Sequence, residues 1–438
     1  MNLQRESDIA SFRPDQRLGV YERPFIQCNS MQDWMLADRI FMTRRDGQRL
    51  QDCFSGGGFM NLGYLPELAR WKKSREHQAV LDARLRKALC ELAPPGLTHV
   101  FVRQSADAAL RTALVSVRDY WVARGQPQRT CFLELEFTRK TTMRTVGAAK
   151  TRENVNFDIR SVYLPAIHGG SSAQLHGEEQ SADWTSLAMA SVKRFIALNG
   201  ADRCAAIIVE PVQLYGELEC LPSGFLAQLY KECRRMNLLL LVNETLSGFG
   251  RAGDVFYCSE EAVSPDVMVV GEGMSSGYVK AGAVLLADHV GNVLIGGQAA
   301  QEDLASGLHQ EPIDCSVLLA VLQRYTEGGA LHAARDITEH FHCRLNELSG
   351  MPYVGEIRIK GLLATVAIVQ DKQRRVRFAT HENRGQKILL NALKNGIAFH
   401  VMDGDVLAFA PSFNYTFDEI DALVEGVRSA IAATFFSR

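Results

Sequence analysis

At 438 residues the chain is too long for one compact core and suits a large domain with a smaller companion. Hydrophobic residues make up 47% of it and charged residues 22%, ordinary globular proportions that leave little room for long disorder. Lys and Arg number 48 against 50 acidic residues, and a net charge of −2 gives no electrostatic footprint for nucleic acid or an anionic membrane surface. Small-molecule or protein partners are expected instead. Ten cysteines are scattered singly, with no Cys-x-x-Cys pair and no zinc-ligand cluster, so no metal centre is expected and a reducing cytoplasm fits best. The first thirty residues lack the apolar core of a signal peptide. The longest apolar runs, 205–209 and 238–242, fall far short of the roughly 20 residues that span a bilayer, and read as buried strands.

In chain order, residues 1–75 form an N-terminal segment assigned to the smaller domain, 76–330 a large α/β domain and 331–438 a C-terminal α+β domain. Helical spacing over 78–92 is followed by a strand at 99–102, a helix at 106–123 and a strand at 131–135. Next come a helix at 183–199, a strand at 205–209, a helix at 223–236 and a strand at 238–242. A strand at 267–270 and a return run at 281–286 extend the series. Strands separated by helices predict a mainly parallel central sheet flanked by helices on both faces. After Cys315 one long helical run to about residue 348 leads into the small domain, with strands near 362–369 and 406–409.

Open sheets of this kind place ligands at the carboxyl ends of their strands, so the loops after Val102, Leu135, Val209, Val242 and Val270 are where chemistry is sought. The sequence around those loops resembles the class III, ornithine-type aminotransferases over most of the chain. The blocks that carry the resemblance are Asp52-Cys-Phe-Ser-Gly-Gly-Gly-Phe-Met-Asn-Leu-Gly-Tyr-Leu-Pro66, Glu210-Pro-Val-Gln213, Ser247-Gly-Phe-Gly-Arg-Ala-Gly253 and Ser264-Pro-Asp-Val267. Each alone is weak; together they are specific.

The resemblance implies a fold-type I pyridoxal phosphate (PLP) transferase architecture, a homodimer with its site between subunits, and a large-domain lysine bonded to the cofactor. Position by position, this sequence departs from that pattern. The stretch matching the family's lysine is Val270-Gly-Glu-Gly-Met-Ser-Ser-Gly277, with Glu272 in the lysine's place, and a carboxylate forms no Schiff base. The aspartate that pairs with the pyridinium nitrogen reads Asn243, followed by Glu244. Asn243 accepts a hydrogen bond but does not stabilise a protonated ring. The phosphate cradle reads Ser105-Ala-Asp107, with a negative charge at a helix start that should receive an anion. The threonine reaching the phosphate from the neighbouring subunit matches Gly307, and the aromatic block beside the ring reads Phe137-Thr-Arg-Lys140, with Arg139 available to fill the space. The arginine that takes the substrate's carboxylate matches Ala408. Lys280, eight residues after Glu272, is a replacement amine that its place at a strand start disfavours.

Taken together these departures predict that PLP does not bind and that PLP-dependent transamination is lost. Two kinds of successor stay open, alongside a third in which a cofactor binds and works without its lysine. One is a cofactor-independent acid/base enzyme on an amino-acid-derived or acyl substrate, with Glu272, Glu210 and Glu244 as catalytic groups whose crowding raises their pKa values. Its substrate would meet Ser105, Asp107, Phe137, Arg139, Lys140, Gln213, Asn243 and His309. The same charges also read as a structural ion-pair network, and His309 as a surface histidine. The other is a non-catalytic scaffold that binds or regulates a partner. Cys258 and Cys315 read as small buried hydrophobes rather than nucleophiles.

Overall fold

The computed structural model describes residues 34–44, 46–69, 78–137, 157–165, 178–214, 217–296 and 315–436. Three short antiparallel strands come first: β1 (Trp34–Asp38), β2 (Phe41–Arg44) and β3 (Arg49–Asp52). Helix α1 (Gln78–Leu92) leads to β4 (Leu97–Arg103), α2 (Ala106–Ala123) and β5 (Cys131–Glu136). Then follow β6 (Asp158–Tyr163), α3 (Glu178–Asn199), β7 (Cys204–Val209) and a small hairpin of β8 (Val212–Gln213) and β9 (Glu219–Cys220). Helix α4 (Phe225–Arg235), β10 (Leu239–Asn243), β11 (Val267–Val270), β12 (Gly282–Ala287) and α5 (Asp288–Ile295) complete this half.

These strands make one seven-stranded sheet in the order β4-β12-β11-β10-β7-β5-β6. The pairs β11–β10, β10–β7, β7–β5 and β5–β6 are parallel, and β12 runs antiparallel to both its neighbours. Every residue of β7, β10 and β11 is buried, as a strand covered on both faces must be. Alternate side chains supply two cores. Leu239, Leu241, Val267 and Val269 pack under Ala109, Leu110, Ala113 and Val117 of α2, while Leu240, Val242, Met268 and Val270 face Leu226 and Leu229 of α4. Strand β6 escapes the sequence reading because its Asp-Ile-Arg-Ser-Val-Tyr run is mostly half-exposed and lacks the apolar signature of an interior strand.

The long helical run expected after Cys315 is two helices, α6 (Cys315–Thr326) and α7 (Ala330–Asn346). Gly328-Gly329 breaks it: Gly329 takes φ +69, a left-handed conformation that ends a helix and redirects the chain. Beyond it β13 (Val354–Lys360), β14 (Leu363–Asp371), β15 (Val376–Arg377), β17 (His400–Met402) and β18 (Val406–Phe409) form an antiparallel sheet. Helices α8 (Arg384–Lys394) and α9 (Phe417–Phe436) pack together beside it. Between them β16 (Ile397–Ala398) leaves this sheet and pairs in parallel with β3, setting Ile397 opposite Gln51 and Ala398 opposite Asp52. Among the described residues no helix is long and apolar enough to cross a membrane.

One buried cation ties these parts together. The side chain of Arg251, on the loop after β10, is fully buried and donates from Nε and Nη2 to Asn61 Oδ1, at 3.1 and 2.7 Å, and from Nη1 to the Pro411 carbonyl at 2.6 Å. Its ring-stacking neighbour is Phe413, and the Arg251 carbonyl accepts from Leu362 N–H at 3.0 Å. Burial pushes its pKa down to about 10, against the raising effect of Tyr325 and Asp52. Replacing Arg251 by Met keeps the volume but leaves Asn61 Oδ1 and the Pro411 carbonyl without donors. Arg251→Met is therefore expected to lower the unfolding free energy by about 2–4 kcal/mol in urea titrations. A loss within about 0.5 kcal/mol of zero would show that the guanidinium does not hold these segments.

Candidate functional site

The carboxyl ends of β4, β11, β10 and β7 lie side by side, and the residues that follow them form the site. Strand β4 ends at Arg103, and Ser105 then caps α2, its Oγ accepting from Ala108 N–H at 3.1 Å. Gly282 of β12 presses against that cap: a Cβ there would come within 2.6 Å of the Ser105 carbonyl and 2.9 Å of Ala106 N. Gly271 meets it from the other side, with a virtual Cβ 2.5 Å from Thr245 Cγ2 and 3.3 Å from Ala106 Cβ. Two glycines thus let three loops converge on one helix start. Asp107 stands in the first turn of α2 but is exposed, so its charge is hydrated and screened rather than set within the cradle.

Glu272 opens a 3-10 turn, Glu272–Ser275, directly after β11. Burial raises its carboxyl pKa, the N–H groups of Glu272 and Ala106 lower it, Asp107 raises it and Lys280 lowers it. Its Oε2 is shut off from solvent and has no hydrogen-bond partner. Lys280 itself is exposed. The turn is fixed from beneath, where Tyr325 Oη donates to the Gly273 carbonyl at 2.7 Å and Ser276 Oγ accepts from Leu62 N–H at 2.9 Å.

Asn243 ends β10, buried, and its Oδ1 accepts from Thr245 N–H at 3.2 Å and Thr245 Oγ1 at 2.5 Å. The backbone donor settles the amide's orientation, leaving the NH2 as the group on offer. Asn243 thus accepts, as the sequence reading has it, but within its own turn. Glu244 is withdrawn from the edge. Its Oε2 accepts from the Ser247 hydroxyl and its Oε1 from Cys258 N–H at 2.8 Å, so both oxygens are occupied in closing the loop that contains Arg251. Desolvation raises its pKa all the same. A catalytic role for Glu244 is therefore replaced by a loop-fixing one.

Glu210 is buried after β7, and Gln213 Nε2 donates to the Leu135 carbonyl at 3.2 Å, joining the β8–β9 hairpin to the end of β5. Phe137, also buried, stacks on Trp184 with ring centroids 6.2 Å apart. Arg139, Lys140, Gly307 and His309 lie outside the described residues. Ala408 is buried within β18, opposite Thr365 and His400. Cys258 and Cys315 are buried, and burial pushes the Cys258 thiol pKa well up. Among the described residues no group of three metal-ligating side chains occurs. Thr245, Ser276 and Tyr325, which set the edge's geometry, carry no sequence signal, because each acts through a contact distant in the chain or a backbone turn.

Comparison with known proteins gives this edge its context. The family model "Aminotransferase class-III" matches residues 35–431. An adenosylmethionine-8-amino-7-oxononanoate aminotransferase of Geobacter sulfurreducens is 27% identical over 355 residues, covering 79% of this chain and 78% of its own. A putrescine–pyruvate aminotransferase of Pseudomonas aeruginosa is 26% identical, covering 91% and 90%. Among solved structures, a thermostable (S)-enantioselective omega-transaminase from Thermomicrobium roseum superposes with a TM-score of 0.79 at 23% identity, covering 98% of both chains. A PLP-bound amine transaminase from an uncultivated Pseudomonas species gives 0.76 at 23% identity, covering 92% and 95%. At that identity the structures show the fold alone.

The aminotransferase relatives overturn the expectations that transamination is lost, that PLP does not bind, and that the chain is a cofactor-independent enzyme or a non-catalytic scaffold. Each rested on reading Glu272 as the loss of the Schiff-base lysine, a loss that none of these matches shows. The physical reason is that single positions were weighed without their surroundings: Asp107 is exposed, Asn243 Oδ1 is engaged by Thr245, and Ser105 caps α2. With its family model matched from residue 35 to residue 431 and a fold shared end to end with solved transaminases, the chain belongs to the class III aminotransferases.

Proposed function

We propose that the chain is a PLP-dependent aminotransferase acting on a small primary amine, working as a homodimer in the cytoplasm. The observation that carries the reading is the family model matched over residues 35–431, set beside the capped start of α2, where Ser105 Oγ accepts from Ala108 N–H. A helix start of that form suits an anionic oxygen, the chemistry a phosphate requires. The residues present fit the cofactor on this reading. Ser105 and the first N–H groups of α2 hold the phosphate, Phe137 backed by Trp184 offers an aromatic face, and the Asn243 NH2 donates to a ring acceptor. Glu210 and Gln213 line the end of β7 beside them. Glu272 has no amine and takes no covalent part.

When bound, PLP supplies the carbonyl that receives the amino group and a ring that accommodates the electrons released as the amine's proton leaves. The fold supplies position: the site sits on strand ends and a helix start rather than on long loops. Substrate class is supported by the relatives, whose names include putrescine, a diamine, and adenosylmethionine, an amino acid that carries a primary amine. The cytoplasmic setting is supported by nine cysteines, all free, among the described residues.

Two measurements test the reading. Titration of the purified protein with PLP is expected to give saturable binding on the order of micromolar, with amino-group transfer from a primary amine to an α-keto acid followed by chromatography. Ser105→Ala is expected to weaken that binding by roughly tenfold, about the value of one charge-assisted hydrogen bond. No binding at millimolar PLP would refute the proposal. Sedimentation equilibrium at micromolar protein is expected to return twice the 48.6 kDa chain mass. A stable monomer would remove the homodimer from it.

A further inference from the structure

We infer that Cys131 and Cys204 form a dithiol site that a hydroperoxide oxidises to a reversible disulfide between β5 and β7. The site lies at the amino ends of these strands, the opposite edge of the sheet from the ligand loops, and it does not depend on the proposed aminotransferase reading. Each cysteine is the first residue of its strand, and the two are register partners. An irregularity in that register makes the pairing. Phe132 lies opposite Ala206, so regular pairing would set Cys131 opposite Ala205, and the shift brings Cys204 there instead. The Arg203 carbonyl fixes the arrangement by accepting from both Thr130 N–H and Cys131 N–H at 3.0 Å. Both cysteines join one core with Leu133 and Ile207, whereas Phe132, Ala205 and Ala206 belong to the other.

Neighbouring strands run about 4.7–4.9 Å apart, inside the Cα separation of about 4.4–6.8 Å that a disulfide requires. The thiols already meet. The Cys131 S–H donates to the Cys204 sulfur, and that contact, with the Arg129 and Arg160 guanidinium groups, holds the Cys204 thiol below its usual range against burial and Asp202. Cys131 is pushed the other way, first by the same contact and then by burial, Cys204 and Asp158, and keeps its proton. Both cations are anchored at this edge: Arg129 Nη1 donates to the Cys204 carbonyl at 2.8 Å, and Arg160 Nε to Asp158 Oδ1 at 2.9 Å. Cys53, Cys233 and Cys258 are buried too, but there desolvation raises each thiol. The pair therefore divides its roles, with Cys204 as the nucleophile and Cys131 as the resolving thiol.

The Cys204 thiolate attacks the hydroxyl oxygen of the hydroperoxide. An S–O bond forms, the O–O bond breaks, and the departing oxide takes a proton from solvent and leaves as water or an alcohol, so that Cys204 becomes a sulfenic acid. The Cys131 sulfur then attacks the sulfenic sulfur; the S–O bond breaks, the hydroxide leaves with the Cys131 proton as water, and the S–S bond forms. The two sulfurs lose two electrons, which the peroxide bond takes up. Access comes from the strand starts. Cys131 and Cys204 are 1% and 0% exposed, but each follows an exposed residue, Thr130 or Arg203, and the half-exposed β6 beside β5 is the edge of the sheet. Fraying of the first residue pair reaches both sulfurs, and strand ends open at far lower free energy than a whole domain.

The test uses the full chain without added cofactor. Protein reduced and then freed of reductant is treated with hydrogen peroxide for about an hour, and its remaining thiols are alkylated. Peptides are mapped by tandem mass spectrometry, whose fragment ions separate Cys204 from Cys220 in the tryptic peptide they share. Circular dichroism confirms that the treated chain is folded. A link between Cys131 and Cys204 in most of the protein, reversed by dithiothreitol, is expected. In Cys131→Ala the sulfenic acid of Cys204 accumulates and is trapped by dimedone, and in Cys204→Ala the Cys131 thiol takes up no dimedone. Absence of the link in folded wild type, its formation only in urea, or pairing of either cysteine with a different one overturns the inference. Dimedone on Cys131 in Cys204→Ala, with none on Cys204 in Cys131→Ala, overturns the division of roles. If either variant fails to fold, the wild-type map decides the matter alone.

Discussion

The architecture depends on the burial of Arg251. A guanidinium with no ion-paired carboxylate among the described residues is costly to bury, and the cost is met by Asn61 Oδ1 and the Pro411 carbonyl, delivered from 190 and 160 residues away. Those partners belong to the N-terminal glycine-rich segment and to the turn after β18. The same loop takes Leu362 N–H from the β13–β14 turn, where Gly361 lies so close that a Cβ would meet Ala252 C at 2.4 Å. First, middle and last thirds of the chain are thereby fixed to the loop that leaves β10, the central strand of the large sheet.

From that anchor the site inherits its rigidity. Asn61 also donates to the Phe249 carbonyl at 3.2 Å, Leu62 N–H reaches Ser276, and Tyr325 stacks on Phe249 while holding Gly273. The turn that presents Glu272 is therefore held by three segments besides its own. Glu244 completes the arrangement by closing the loop from within, a use of a carboxylate that needs both oxygens and leaves none for a ligand. Burial raises the pKa of Glu244 and of Glu272 alike, yet only the second has an oxygen without a partner. A raised pKa marks desolvation; the hydrogen-bond inventory separates a structural carboxylate from one available to a ligand.

Membership of the class III aminotransferases and the individuality of this edge are compatible, because fold and family are carried by hundreds of residues and the local chemistry by a handful. In this chain the strand edge carries Asn243, neutral, Glu272, and Asp107, whose charge faces solvent.

The sequence by itself determined the alternation of strands and helices, the buried runs of β7, β10 and β11, and the blocks from Asp52 to Pro66 and from Ser247 to Gly253 that identify the family. These are legible because burial on both faces leaves an unbroken apolar run, and because tight turns need glycine wherever they occur. Tertiary structure decided the rest. Strand β6 is an edge strand whose identity comes from pairing with β5, and β16 joins β3 across more than 340 residues with no local cue. The break between α6 and α7 turned on the backbone of Gly329, and the engagement of Asn243 Oδ1 on the backbone N–H of Thr245. The sequence set Glu210, Glu244 and Glu272 at strand ends, with Glu272 at the lysine's position, whereas the fold gave Glu244 a hydroxyl and an N–H and left Glu272 Oε2 with neither. A side chain's chemistry follows from the groups that surround it, and those arrive from distant parts of the chain only when it folds.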